Sequence, residues 1–241
     1  MVRIPSGRYR PAYNLNPVSG RTRKPALVAV AGYWLDRYPV TNQQFLEFVR
    51  THPEWRRSRV KRIFADQGYL AGWTGDLTFP PGLAQAPVVR VSWFAARAYC
   101  RAQGKRLPTQ QEWEFAAQPG SDQLRQQILE WYGRPTPVSL PAVQSAPPNA
   151  YGACALHGLV WEWVEDFNTL LVTGESRGDS ALERDLYCAG GAVNSLDPSD
   201  YATAMRFAFR SSLQARYTVA NLGFRAARDV FKTGPASRKE R

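Results

Sequence analysis

Two threonines in the first half of this sequence that lead into apolar-periodic runs, Thr41 and Thr109, are followed three residues later by Gln44 and Glu112. That spacing lets the threonine oxygen accept from the backbone three residues on, while the longer side chain returns to the threonine N–H. Each pair therefore predicts a helix start. The first helix would carry Phe45, Phe48 and Val49 on one face, and the second Trp113, Ala116 and Ala117. Between them, Ser92 predicts a further start, with Trp93, Ala96 and Cys100 facing inward and Gly104 ending the helix. Cys100 on such a face reads as a small buried hydrophobe. Helices are thereby anchored between residues 41 and 117.

The remainder reads differently. Residues 26–38, ALVAVAGYWLDRY, alternate as a strand that enters a turn at Pro39. Residues 118–148 are irregular and Pro-rich, with one helical turn expected around Leu124 to Trp131. From Tyr151 onward short strands and turns dominate, with LVWEWV alternating aromatics and NLGFRAARD as a closing strand. With 18 Gly and 18 Pro among 241 residues and 44% hydrophobic content, the composition suits a loop-rich globular fold. There is no internal repeat and no clean linker. The expected fold class is α+β, as one domain over residues 1–229 followed by a basic, flexible tail at 230–241.

Several function classes fall away. No apolar run reaches the roughly 18 residues a membrane span needs, and no signal peptide is visible. The net charge of +11 raises the question of an anionic partner. The densest basic run, WRRSRVKR from Trp55 to Arg62, would spread its arginines around a helical cylinder and reads as a solvated face. The C-terminal ASRKER adds charge outside any site, and no motif supports nucleic-acid binding. Cys100, Cys154 and Cys188 form no C-x-x-C pair, which argues against structural zinc and a disulfide framework. His52 and His157 are too few for a three-histidine metal site. No haem, flavin or nucleotide cofactor is expected.

Four segments in series, MVRIPSG, YWLDRYPVTNQQFLEFV, PVVRVSWFAARAYCRAQGKRLPTQQEWEFAA, and GLVWEWVEDF followed by GG and NLGFRAARD, span nearly the whole chain. In order and spacing the sequence resembles the formylglycine-generating enzyme and sulfatase-modifying-factor family. The resemblance implies a C-type-lectin-like fold. It also matches Met1 and Val2 to an internal family motif, so the natural start is left open. The compartment stays open with it: periplasmic or secreted if a leader was trimmed, cytoplasmic otherwise.

Fold and chemistry separate at this point. In the family, oxidation of a substrate cysteine depends on two cysteines after a Gly-Gly-Ser turn, a pair of soft thiolates suited to Cu(I). Here the turn reads Gly190-Gly191-Ala192, and Ala202 stands where the second cysteine would be, on a segment expected as a strand. The first falls in the loop Asn194 to Ser199, which has no cysteine. Copper is therefore not expected, the remaining soft candidates being Cys154 and Cys188. The iron site of a wider relative needs a helical domain and histidines that this chain lacks. The family's structural calcium is carried over as a candidate onto Glu162 and the carbonyl positions Gly158 and Val160, with the expected asparagine replaced by Ala155.

Further family positions around the groove fall on Trp161, Arg206, Arg210, Asn221 and Arg225, and Tyr201, Met205, Phe207 and Asn194 add aromatic, adaptable and polar surface. For Arg210 and Arg225 a purely structural role is the competing reading. The expected function is a ligand- or protein-binding accessory without cysteine-to-formylglycine activity, taking a protein, peptide or small molecule in a C-terminal groove. Two alternatives stand beside it. One is a metal-dependent oxidase with a rearranged site, and the other a displayed lectin-fold binding domain with a variable ligand surface.

Overall fold

The computed structural model describes residues 1–11, 26–118, 126, 128–131, 133–167 and 201–230. Cys188, Gly190, Gly191, Ala192, Asn194 and the tail from 231 lie outside them, as do the side chains of Tyr201, Ala202 and Phe207.

The three helices open where the capping residues place them. In α1 (Asn42–Thr51) and α3 (Gln110–Ala116) both halves of the capping box are made, and α2 (Trp93–Ala102) is capped by Ser92. The inner faces of α1 and α2 meet around Phe45, whose ring stacks on Tyr99 at 5.9 Å and meets Trp73 and Phe224 edge-on. Cys100 is fully buried in this core, and burial pushes its thiol pKa far above the ordinary range.

The strands are short and the sheets small. β1 (Val2–Ile4), β4 (Tyr33–Leu35) and β7 (Ala227–Asp229) form an antiparallel sheet with β4 in the centre, tying both ends of the described chain together. β2 (Gly7–Tyr9) pairs with β3 (Val28–Val30), and β5 (Trp161–Glu162) runs parallel to β6 (Leu222–Gly223). The single strand expected over 26–38 is thus two strands with different partners. They part at Gly32, where a Cβ would stand 3.0 Å from the Arg3 guanidinium and 3.2 Å from the Ser6 nitrogen. The closing segment likewise divides: Phe224 and Ala226 turn their carbonyls to the Val40 and Asp36 nitrogens between β6 and β7.

One expectation is corrected outright. Residues 201–211, expected as a strand, form the helix α4 (Tyr201–Ser211). Arg206 and Arg210, one helical turn apart, are buried on its inner side, while Met205 and Ala208 are exposed. Among the described residues no helix is long and apolar enough to cross a membrane.

Candidate functional site

Helix α3 and helix α4 meet through charge. Glu114 is buried on α3 and accepts from Arg206 Nε at 3.0 Å and Nη2 at 2.6 Å, and from Arg210 Nη1 at 3.0 Å. Both guanidiniums also lie over the Trp113 ring, at 5.4 and 4.8 Å from its centroid. Burial alone would raise the Glu114 pKa. The two arginines outweigh it and hold the carboxyl below its usual value.

Trp113 joins this cluster to a second one. Its Nε1 donates to Glu162 Oε2 at 2.7 Å, and Glu162 in turn receives Arg225 through Nε and Nη2, at 2.8 to 3.0 Å. The rest of the Arg225 fork is spent on backbone: Nη1 donates to the carbonyls of Asp36 and Arg37, and Nη2 to those of Cys154 and Ala155. His157 stands edge-on to Trp113 and donates from Nε2 to the Ala117 carbonyl at 2.8 Å. Burial and the neighbouring Arg206 push its pKa down to about 3, so the ring is neutral at physiological pH. Its Nδ1 has no partner among the described residues.

Above these charges lies an aromatic face. The Trp161 and Phe209 rings approach to 4.4 Å, and Trp131 stands 6.0 Å from Trp161. All three are partly buried, and Met205 is 39% exposed at the outer side of α4. Asn221 holds both sides of this region: its carbonyl accepts from Trp161 N, and its Nδ2 donates to Thr136 Oγ1 at 3.0 Å.

The residues singled out from the sequence therefore divide. Trp161, Met205 and Asn221 come together at the surface. Arg206, Arg210 and Arg225 are brought near them but lie inside, 6%, 3% and 0% exposed, each held by a buried carboxylate. For Arg210 and Arg225 this is the structural role weighed above. Glu114 and His157, which complete the buried network, were not anticipated. A glutamate set between Trp113 and Phe115 in a capped helix was the available sign, since its neighbours are core residues.

The calcium candidates do not fit a cation as they stand. Both Glu162 oxygens accept from Arg225 and Trp113, and a cation brought there would meet a guanidinium already in place. The carbonyl of Ala155, at the position of the missing asparagine, is likewise taken by Arg225. Among the described residues no group of three or more His, Cys, Asp or Glu could hold a metal ion. Cys154, one of the two remaining soft ligands, is buried with its Sγ 4.0 Å from the Gly152 carbonyl.

The comparisons with known proteins agree with this fold. The chain is 35% identical over 145 residues to the serine/threonine-protein kinase pkn1 of Chlamydia pneumoniae, a match covering 58% of this chain and 23% of that protein. It is 31% identical over 213 residues to the inactive C-alpha-formylglycine-generating enzyme 2 of Bos taurus, covering 68% and 69%. Against the formylglycine-generating enzyme of Mus musculus it is 28% identical over 288 residues, covering 97% and 76%. The chain thus spans about a quarter of the length of the chlamydial relative. Among solved structures, PvdO from Pseudomonas aeruginosa superposes with a TM-score of 0.51 at 18% identity over 95% of this chain and 93% of that one, a likeness of fold. The profile of the sulfatase-modifying factor enzyme 1-like domain matches residues 1–230, and the chain belongs to that family, with its formylglycine-generating-enzyme type of fold.

Proposed function

We propose that this chain is a divergent family member that does not convert cysteine to formylglycine and instead binds a protein, peptide or small-molecule ligand as an accessory. The observation that carries the reading is the make-up of α4. Tyr201–Ser211 holds no cysteine, the family resemblance sets Ala202 at the position of the second copper thiolate, and the two arginines of the helix, Arg206 and Arg210, are turned onto Glu114. Among the described side chains on and beside the helix, Met205, Phe209 and Trp161 remain toward solvent, with Asn221 beside them. Rigid aromatic rings next to a hydrogen-bonding amide suit recognition, because they offer contact area at little entropic cost.

Two measurements on the purified chain test this. Incubated with Cu(I), oxygen and a synthetic peptide bearing one cysteine, it should leave the thiol unconverted by mass spectrometry. Conversion to an aldehyde would overturn the reading and restore an oxidase. Panned against a random displayed peptide library, it should enrich sequences that Trp161→Ala and Phe209→Ala variants release by about tenfold or more.

A further inference from the structure

Away from the Trp161 face, residues 56–65 fold as consecutive turns. Arg59 N and Val60 N donate to the Arg56 carbonyl, and Phe64 N and Ala65 N to that of Lys61. This is the basic run of the sequence, and it is not a helical cylinder. The turns are locked to a distant stretch of chain: Asp66 N donates to the Arg216 carbonyl at 2.9 Å, and the Asp66 carboxylate accepts from Gly68 N, Thr218 N and Thr218 Oγ1. The lock leaves two adjoining clefts. One, of about 590 Å³, lies between Arg62 and Asp66 on one wall and Arg216 and Thr218 on the other. The second, of about 440 Å³, shares Arg62, Asp66 and Gln67 and runs on past Arg57 to Asp76.

The acids of these clefts are engaged in holding the walls. Asp76 accepts from Ser58 N at 2.8 Å and Ser58 Oγ at 2.6 Å, and Asp66 is bonded as above. Among the described residues neither forms an ion pair, and Lys61, Arg62 and Arg216 have no carboxylate partner either. Arg57 gives one N–H to the Trp73 carbonyl at 2.5 Å and is otherwise exposed. Beside the cations stands Ile63, 71% exposed, and next to it Phe64, also exposed, with its ring against Trp55 and Phe94.

We propose that the cationic cleft between residues 57–69 and 216–218 is a docking site for an acidic, extended segment of a partner protein, with an apolar side chain of that segment resting on Ile63. Guanidiniums fork onto carboxylates in pairs, and Arg62 and Arg216 line the same cleft. Nucleic acid fits less well, because the exposed apolar side chain of Ile63 beside the cations suits a peptide that can bring an apolar side chain of its own. The site lies apart from the Trp161 face, so it goes beyond the function proposed above and can stand if that reading falls.

The test is fluorescence anisotropy on the full chain. The probe is a short fluorescein-labelled peptide of Glu and Asp with one central Leu. The comparison probes are its Gln/Asn counterpart, a labelled oligo-dT strand, and vesicles of phosphatidylcholine with phosphatidylserine. The acidic peptide should bind, weaken strongly at about 0.5 M salt, and lose about tenfold or more in affinity when Arg62→Gln is combined with Arg216→Gln. Ile63→Ser should remove the preference for the leucine-bearing peptide over an all-acidic one. Circular dichroism melts confirm that these surface variants are folded. Absence of binding, binding undiminished in the double variant, or tighter binding of oligo-dT or anionic vesicles would each overturn the proposal. So would loss of the peptide in Trp161→Ala with retention in the arginine variant, which would move it to the aromatic face.

Discussion

The carboxylate of Glu162 and the guanidinium of Arg225 meet at 2.8 Å with neither side chain exposed to solvent. Sixty-three residues apart in sequence, they join the Trp161–Glu162 strand to the closing segment of the chain, and Arg225 extends the tie to residues 36, 37, 154 and 155. A buried pair of this kind gains little over apolar packing while intact, because both ions lose their hydration. Breaking it is another matter, since the charge left behind has no water and no partner.

Arg225→Met should therefore destabilise the chain by about 3–5 kcal/mol, read from urea unfolding. Adding Glu162→Gln should recover part of that loss, because the orphaned charge is gone. A double-mutant cycle would show the coupling directly. Additive effects of the two substitutions would mean that the ion pair contributes nothing beyond its separate backbone and Trp113 contacts.

Gly223 sits in β6, where it lies against the segment that precedes α2. A Cβ built there would stand 2.6 Å from the Val88 carbonyl oxygen, a backbone atom that cannot swing away. Gly223→Ala should cost about 1–3 kcal/mol in unfolding free energy through forced separation of these segments. The same substitution at Gly72, whose Cβ would meet nothing within 4 Å, is the matched control and should leave the melting curve nearly unchanged.

How much of this was legible in the sequence depended on whether the local signal was also the deciding one. Thr41 and Thr109 announced α1 and α3 because a capping box is satisfied within four residues, whatever the tertiary fold. The α4 segment was misjudged. Met205, Phe207 and Phe209 fall at every second position, the pattern of a strand, whereas its helix is anchored by Arg206 and Arg210 at a spacing of four. A hydropathy reading scores arginine as outward. The buried Glu114, some ninety residues earlier, turns it inward, and no local pattern carries that. The site was legible in the same uneven way. Trp161 and Asn221 come together at the surface, but the motifs could not show that Arg206, Arg210 and Arg225 spend their charge inside the protein.

Thiol chemistry gives a simple check on the core. Cys100 is wholly buried with a pKa raised first by desolvation, and Cys154 is 2% exposed. In a Cys188→Ser variant the native chain should show no thiol reacting rapidly with Ellman's reagent at pH 8, and two should react once urea unfolds it. A fast native thiol would mean that one of these sites opens on the timescale of the assay.

Acid should weaken the fold in two steps with different causes. His157 has its pKa lowered from 6.5 to about 3 by burial and by Arg206, so the unfolded chain takes up a proton below pH 6.5 that the folded chain refuses. The stability this group contributes is complete above pH 6.5 and is lost as pH falls toward 3, at up to about 1.4 kcal/mol per pH unit. Glu114 follows at lower pH. Its folded pKa is depressed by Arg206 and Arg210 despite burial, so its contribution is present above the ordinary carboxylate value of 4.5 and disappears below it. Urea unfolding followed from pH 7.5 to 4 should show stability declining from about pH 6.5, before carboxylates protonate. In His157→Gln, whose amide can still donate to the Ala117 carbonyl, the decline between pH 6.5 and 5 should flatten while the fall below 4.5 persists. If the variant and the parent lose stability in parallel across that upper window, His157 is not held neutral in the folded chain.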